Sequence, residues 1–152
     1  MNRLAATLPA VLALTLAALG AGPRQSEAST VRPLDVRATV ALSAGGGATM
    51  LQRGTFAGAP LGRGRVSLRT TIGRGRGATF RFELATPRGS VRGTGDVALT
   101  FRGSTVVYRG TARITAGTGA FARVRSDRLR VDGRGALDGE RFAVRLTGRV
   151  RA

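Results

Sequence analysis

The sequence predicts an all-β protein, a single antiparallel up-and-down barrel of about eight strands. Apolar and polar residues alternate in one segment after another, which is the pattern of strands with one buried face. Glycine-rich turn motifs separate these segments at the spacing of hairpins, and no stretch after residue 36 keeps a helical period. Closing the sheet into a barrel removes both of its unpaired edges, so we prefer a barrel to the alternative, a two-sheet β-sandwich.

The first 28 residues have the features of a helical signal peptide. Arg3 gives a positively charged start, an uncharged and mostly apolar run follows from Leu4 to Gly22, and Ser26 and Ala28 are small residues suited to a cleavage site. We therefore expect cleavage near Ala28 and a secreted or periplasmic protein with no transmembrane domain in the mature chain. The alternative is an uncleaved N-terminal anchor, because the apolar run approaches the length of a membrane span.

The barrel domain is expected over residues 36–152, after a short N-terminal extension at 29–35. Its predicted strands are 36–43, 49–56, 63–72, 79–84, 90–102, 105–115, 128–133 and 141–151, of which the second has the weakest alternation. In each strand one set of alternate residues is apolar and is expected inside. The other set is rich in arginine and threonine and is expected in solvent.

Residues 110–121, GTARITAGTGAF, contain a glycine-rich turn that begins a match to the dinucleotide-binding pattern G-x-G-x-x-A at Gly117, Gly119 and Ala122. That fingerprint requires a helix after the turn and a second strand–helix–strand unit. The charged segment RVRSDRLRVDG follows instead and returns to strand alternation. We therefore predict a tight turn, a single helical turn in which Phe121 closes one end of the barrel.

The chain is strongly basic, with 25 basic residues, all arginine, against 8 acidic residues and a net charge of +17. The alternation places these guanidinium groups outside the barrel, in water. A membrane barrel would crowd them into a narrow lumen at a large electrostatic cost, and the chain lacks the aromatic girdles of such barrels. The basic surface predicts nonspecific contact with polyanions, namely nucleic acid, anionic lipid or an acidic cell-wall polymer. The candidate contact residues are Arg63, Arg65, Arg74, Arg76, Arg141, Arg145 and Arg149.

The composition excludes most catalytic chemistry. Without histidine, cysteine or lysine, the chain has no imidazole base, no thiolate, no Schiff-base amine and no zinc site of the usual ligands. Asp127, Asp132, Asp138 and Glu140 lie close in sequence, but arginines are interleaved with them, so surface ion pairs are the better interpretation. We expect no catalytic residue, no metal site and no cofactor, and a binding or structural module rather than an enzyme.

The barrel interior is the candidate site for a small apolar ligand, because an eight-stranded barrel has room for one at most. The candidate lining residues are the large inward side chains Tyr108, Phe80, Phe82, Phe101 and Phe142. The four phenylalanines could instead fill the interior completely, which would leave a packed scaffold. Both alternatives stay open on the sequence.

A pattern of glycines and turns recurs at GTFAGAPLGRGRV (54–66), GSVRGTGDVAL (89–99), GTARITAGTGAF (110–121) and LRVDGRG (129–135). It resembles the pattern of the allene oxide cyclase barrel-like superfamily, which includes the dirigent proteins, and in particular its small exported bacterial members. The resemblance implies an eight-stranded antiparallel barrel with a central cavity, and it leaves cyclase or dirigent-like activity as an alternative. Plant cyclases use a buried glutamate with a cysteine. This chain has no cysteine, Glu83 alternates onto the arginine face, and Tyr108 is the inward hydroxyl that we identify.

Overall fold

The computed structural model describes residues 29–136 and 141–152, and the predicted signal peptide lies outside these ranges. The strands are β1 (Val31–Gly46), β2 (Thr49–Ala59), β3 (Gly62–Ile72), β4 (Gly77–Thr86), β5 (Gly89–Arg102), β6 (Thr105–Gly117), β7 (Leu129–Ala136) and β8 (Phe142–Arg151). Each strand pairs antiparallel with the next, and β8 pairs with β1, so the sheet is closed. The predicted up-and-down barrel is confirmed, and the β-sandwich is excluded.

The barrel begins earlier than the alternation predicts. Residues 31–35 were expected in an N-terminal extension, yet they belong to β1, and Val31 pairs with Arg151 of β8. Pro33 made this part of the strand hard to predict. Proline has no N–H to donate to a β-ladder hydrogen bond and is rare inside a sheet. It is accommodated because β2 begins to pair with β1 only at Asp35. Among the described strands, Pro33 therefore has a neighbour on the β8 side alone.

Inward-facing apolar side chains form one core along the barrel. Its largest fully buried members are Ile114, Leu129, Val36, Val40, Val91 and Val150. The arginines occupy other positions, and every arginine in the described residues is exposed. The predicted orientation of the guanidinium groups is thus confirmed. The part of the chain that the structure describes has no helix long and apolar enough to span a membrane.

One end of the barrel, the closed end, holds the β2–β3, β4–β5 and β6–β7 connections. The β6–β7 connection contains a 3-10 turn, Gly119–Phe121, and the Phe121 side chain is buried in the core. Ser126 fastens this connection, since its Oγ accepts a hydrogen bond from the backbone N–H of Ile114 at 2.8 Å. The predicted helical turn is confirmed. The dinucleotide fingerprint is excluded, because the chain continues into β7 without a helix.

The opposite end, the open end, holds the β1–β2, β3–β4, β5–β6 and β7–β8 connections. Residues 137–140 of the β7–β8 connection, with Asp138 and Glu140, lie outside the described residues. Backbone hydrogen bonds tie the turns at this end to the strands. The N–H of Ile72 donates to the carbonyl of Ala48 at 2.8 Å, and the N–H of Leu99 donates to the carbonyl of Arg76 at 2.6 Å. These bonds hold the β1–β2 and β3–β4 turns against the neighbouring strands.

Candidate ligand cavity

A cavity of about 320 Å³ lies inside the barrel at the open end. All eight strands contribute to its wall, mostly with aliphatic and aromatic side chains. Leu68, Ala78, Val97 and Val131 form part of the wall and are themselves buried. Below the cavity, towards the closed end, the core is packed around Phe82, Leu84 and neighbouring aliphatic residues. The barrel is therefore filled in one half and hollow in the other.

Aromatic rings in the cavity wall lie over glycines of the neighbouring strand. Five aromatic residues of the described strands stand directly opposite a glycine, in the pairs Phe80–Gly95, Tyr108–Gly133 and Phe142–Gly135 beside the cavity and Phe56–Gly64 and Phe82–Gly93 in the packed core. A β-carbon built at Gly95 would lie 2.5 Å from Cζ of Phe80, and one built at Gly133 would overlap the Tyr108 ring. Each ring thus occupies the space that a side chain on the next strand would need. The rings extend along the wall and leave the centre free.

Among the described residues, three polar side chains interrupt the apolar wall, those of Gln52, Thr70 and Tyr108. Thr70 Oγ1 donates a hydrogen bond to Gln52 Oε1 at 3.3 Å. Within the described residues, the Gln52 side-chain nitrogen has no hydrogen-bond partner. No fully buried side-chain N or O atom of that part of the chain lacks a partner, so this nitrogen is open to the cavity. It is a donor that a ligand can use.

Tyr108 is the single tyrosine of the chain, and its ring forms part of the cavity wall. Burial raises the pKa of its hydroxyl above the ordinary value, because a phenolate would lose its hydration in this apolar environment. Its ring lies near that of Phe142, with 6.3 Å between the ring centroids. The Tyr108 hydroxyl therefore stays neutral at physiological pH and can act as a hydrogen-bond donor or acceptor.

The structure places four of the five predicted lining residues, Phe80, Phe101, Tyr108 and Phe142, around this cavity. Phe82 lies lower, in the packed core. Sequence reasoning missed Gln52 and Thr70, although both alternate with outward residues of their strands. The sequence pattern did not mark Gln52 as an inward residue. The inward positions of β2 also include Gly54, and the hydrophobic alternation of that strand is weak.

On the outer surface, ion pairs gather on β7, β8 and β1. Arg145 donates two hydrogen bonds to Asp35, from Nε to Oδ1 at 2.9 Å and from Nη2 to Oδ2 at 2.6 Å. Arg130 makes a similar pair with Asp132, and Arg109 lies 3.8 Å from the same carboxylate. These guanidinium groups lower the pKa of both aspartates. The acidic residues 127 and 132 thus form surface ion pairs, the former with Arg151.

Strands β2, β3 and β4 carry a cluster of arginines with no such partners in the described residues. This cationic face consists of Arg53, Arg65, Arg69 and Arg81. Arg69 stands directly opposite Arg81 in the β3–β4 register. The one carboxylate on these three strands, Glu83, is bound by Arg92 of β5 at 3.1 Å. The cationic face is a basic area to which the polyanion prediction could apply.

The seven predicted polyanion contacts do not form one site. Arg63 and Arg65 lie on β3, the first of them near the closed end. Arg74 and Arg76 lie in the β3–β4 turn at the open end. The remaining three lie just before or on β8, where Arg145 is bound by Asp35; they are Arg141, Arg145 and Arg149.

The described residues contain no group of three or more carboxylate, imidazole or thiol side chains that could hold a metal ion. Comparison with known proteins found no matching family model, no similar curated protein and no similar solved structure. The resemblance to the allene oxide cyclase barrel-like superfamily therefore stays a prediction.

Proposed function

We propose that this protein binds a small, largely apolar molecule in the open half of its barrel. The observation that carries the proposal is the unfilled cavity of about 320 Å³, closed below by a packed core and open at one end. Protein interiors are normally packed to the density of organic crystals, and an empty apolar volume of this size is therefore unusual. Ligand sites occupy roughly 300–1,000 Å³ and are mostly apolar with a few polar groups, which is the pattern seen here.

The wall defines the chemistry of the ligand. Among the described residues no charged side chain lines the cavity, so a charge on the buried part of the ligand would be desolvated without compensation from them. Gln52 offers an unused N–H donor, and Tyr108 offers a neutral hydroxyl. The ligand that fits best is an aliphatic or aromatic molecule with one uncharged polar group, such as a carbonyl or a hydroxyl.

The test compares two variants that add the same side chain on opposite faces of the wall. Ala78→Leu places extra volume in the cavity, whereas Ala98→Leu places it on the exposed outer face. The neutral apolar dye phenylnaphthylamine is expected to bind the native protein and the Ala98→Leu variant alike. Ala78→Leu is expected to lower its affinity tenfold or more, because the dye and the new side chain need the same space.

A measurement of stability distinguishes loss of dye binding by a filled cavity from loss by misfolding. Filling a cavity with an apolar side chain recovers packing, so we expect Ala78→Leu to unfold at the same or a higher urea concentration than the native protein. The protein released by its expression host is also examined by native mass spectrometry for a bound molecule. Equal dye affinity in both variants would exclude the cavity as the binding site.

A further inference from the structure

Large apolar side chains are exposed around the mouth of the cavity. Leu42, Ile72 and Phe101 are 47 %, 37 % and 52 % exposed, and all three line the mouth. They lie on β1, β3 and β5, that is, on alternate strands around the barrel. We call these three residues the apolar rim. Apolar groups that are exposed together, beside an opening, are typical of an interaction surface.

Positive charges stand next to the apolar rim. Arg74 and Arg76 follow Ile72 in the β3–β4 turn, and Arg102 follows Phe101. We call these three the rim arginines. All are exposed, and none has a carboxylate partner in the described residues. The β3–β4 turn holds its position, because Gly73 N–H donates to the Gly77 carbonyl at 2.9 Å and Leu99 N–H to the Arg76 carbonyl at 2.6 Å.

The other features of this end agree with contact to a flat anionic surface. The β1–β2 turn, AGGGA at 44–48, carries no charged or bulky side chain that would hold the rim away from such a surface. Within the described residues, the turns of the open end contain no acidic residue; Asp138 and Glu140 lie outside them. The described part of the open end thus presents apolar tips, with cations beside Ile72 and Phe101.

We propose that the open end docks on an anionic lipid bilayer, with the apolar rim among the acyl chains and the rim arginines on lipid phosphates. Apolar insertion and attraction to anionic lipid are the two contributions that hold proteins at membrane interfaces. The proposal rests on the proposed function in one respect: the bilayer is then the source of the apolar ligand. The ligand enters the cavity through a mouth that already lies in the lipid, without passing through water.

A bilayer fits this end better than a second copy of the chain. Two open ends that faced each other would bring both sets of rim arginines together, and like charges at short distance repel. A bilayer offers the opposite charge at its surface and an apolar interior below it. Both parts of the open end therefore find a complementary partner in the same surface.

The test uses vesicles of equal parts phosphatidylcholine and phosphatidylglycerol, and vesicles of phosphatidylcholine alone as the neutral comparison. An arginine near an anionic surface strengthens partitioning roughly fivefold, so the triple variant Arg74→Gln, Arg76→Gln, Arg102→Gln is expected to bind the anionic vesicles about 100-fold more weakly. The double variant Ile72→Ser, Phe101→Ser is expected to lose about tenfold or more, because it removes the inserted groups. Both variants change exposed side chains, and circular dichroism should show an unchanged fold.

The control variant removes the same charge from the other end of the barrel. Arg113, Arg128 and Arg149 are exposed, lie in the closed half and have no carboxylate partner among the described residues. Their replacement by glutamine is expected to weaken binding to the anionic vesicles less than tenfold. Salt screens the attraction between these distant charges and the bilayer. All proteins are used as the expression host releases them, with the same N-terminal residue confirmed by mass spectrometry. An equal loss in the two triple variants would mean diffuse attraction by net charge and would overturn the proposal.

Docking and ligand binding can fail separately. Ala78→Leu, which is designed to fill the cavity, should leave vesicle binding unchanged, and the triple variant of the rim arginines, which do not line the cavity, should still bind dissolved phenylnaphthylamine. If native protein ignores anionic vesicles but binds the dye, docking is wrong and the proposed function stands. A dimer in sedimentation that Phe101→Ser dissolves, with vesicle binding unaffected, would assign the apolar rim to a contact between copies and would also overturn the proposal.

Discussion

Aromatic side chains of this barrel have space because their cross-strand neighbours are glycines. The clearest case is Tyr108, whose ring lies where a β-carbon of Gly133 would otherwise be. The same arrangement repeats at Phe142 over Gly135 and at Phe80 over Gly95. A ring held against the wall leaves room in the centre, whereas a ring displaced from its glycine has to turn into the cavity. The pairs beside the cavity therefore help to keep its centre open.

Replacing Gly133 by alanine is expected to impair both stability and binding. The new methyl group overlaps the Tyr108 ring, and overpacking of this kind costs about 1–3 kcal/mol of the free energy of unfolding. The ring moves into the cavity, and the affinity for phenylnaphthylamine falls with it. Urea unfolding and dye titration measure the two effects.

Gly77→Ala is the matched control, because a β-carbon at Gly77 would have no atom within 4 Å. It should be close to the native protein in both measurements. If Gly133→Ala also behaves like the native protein, the glycines do not hold the cavity open.

At the scale of the strands, positive and negative side chains are distributed unequally over the outer surface of the barrel. On β7, β8 and β1, arginines and aspartates alternate across strands and form ion pairs, of which Arg145–Asp35 is one. On β3 and β4, Arg69 directly opposes Arg81, and like charges in that position destabilise a sheet. The strands of the cationic face thus carry a repulsion that a bound polyanion would relieve.

The variant Arg69→Glu is expected to stabilise the barrel, because it places a carboxylate opposite Arg81. Cross-strand pairs of opposite charge contribute roughly 0.2–1 kcal/mol, and the gain should shrink in high salt. Thermal unfolding at low and high salt measures it. Arg113→Glu on β6 makes the same charge reversal opposite a threonine, Thr94, and is the control. If polyanions bind the cationic face, Arg69→Glu should also elute from heparin at lower salt than Arg113→Glu. Equal stability and equal elution would show that the cationic face has no special role.

Across the whole molecule, alternation predicted the strands well because each strand has one face in the core and one in water. It failed at Pro33, where the pairing of β1 continues on one side only, and it missed Gln52, a polar residue among inward glycines. The sequence could not predict whether the interior is full or hollow, and the reason is physical. The direction of the Phe80 and Phe142 rings depends on which glycine stands opposite, and this register is set by the type and length of the hairpin turns, which the alternation pattern does not specify. Phe101 lies at the mouth, 52 % exposed, and fills nothing.

The central claim, that the open half of the barrel is an apolar site accessible to ligand, can be measured on the native protein. Tyr108 is the single tyrosine, the chain has no tryptophan, and its ring lies in the cavity wall, so its fluorescence reports on the cavity directly. Titration with octanol, an aliphatic chain with one hydroxyl group, should change the Tyr108 emission along a saturating curve with one site per chain. Emission that stays constant, or that drifts linearly as it does for free tyrosine in the same octanol solutions, would contradict the account.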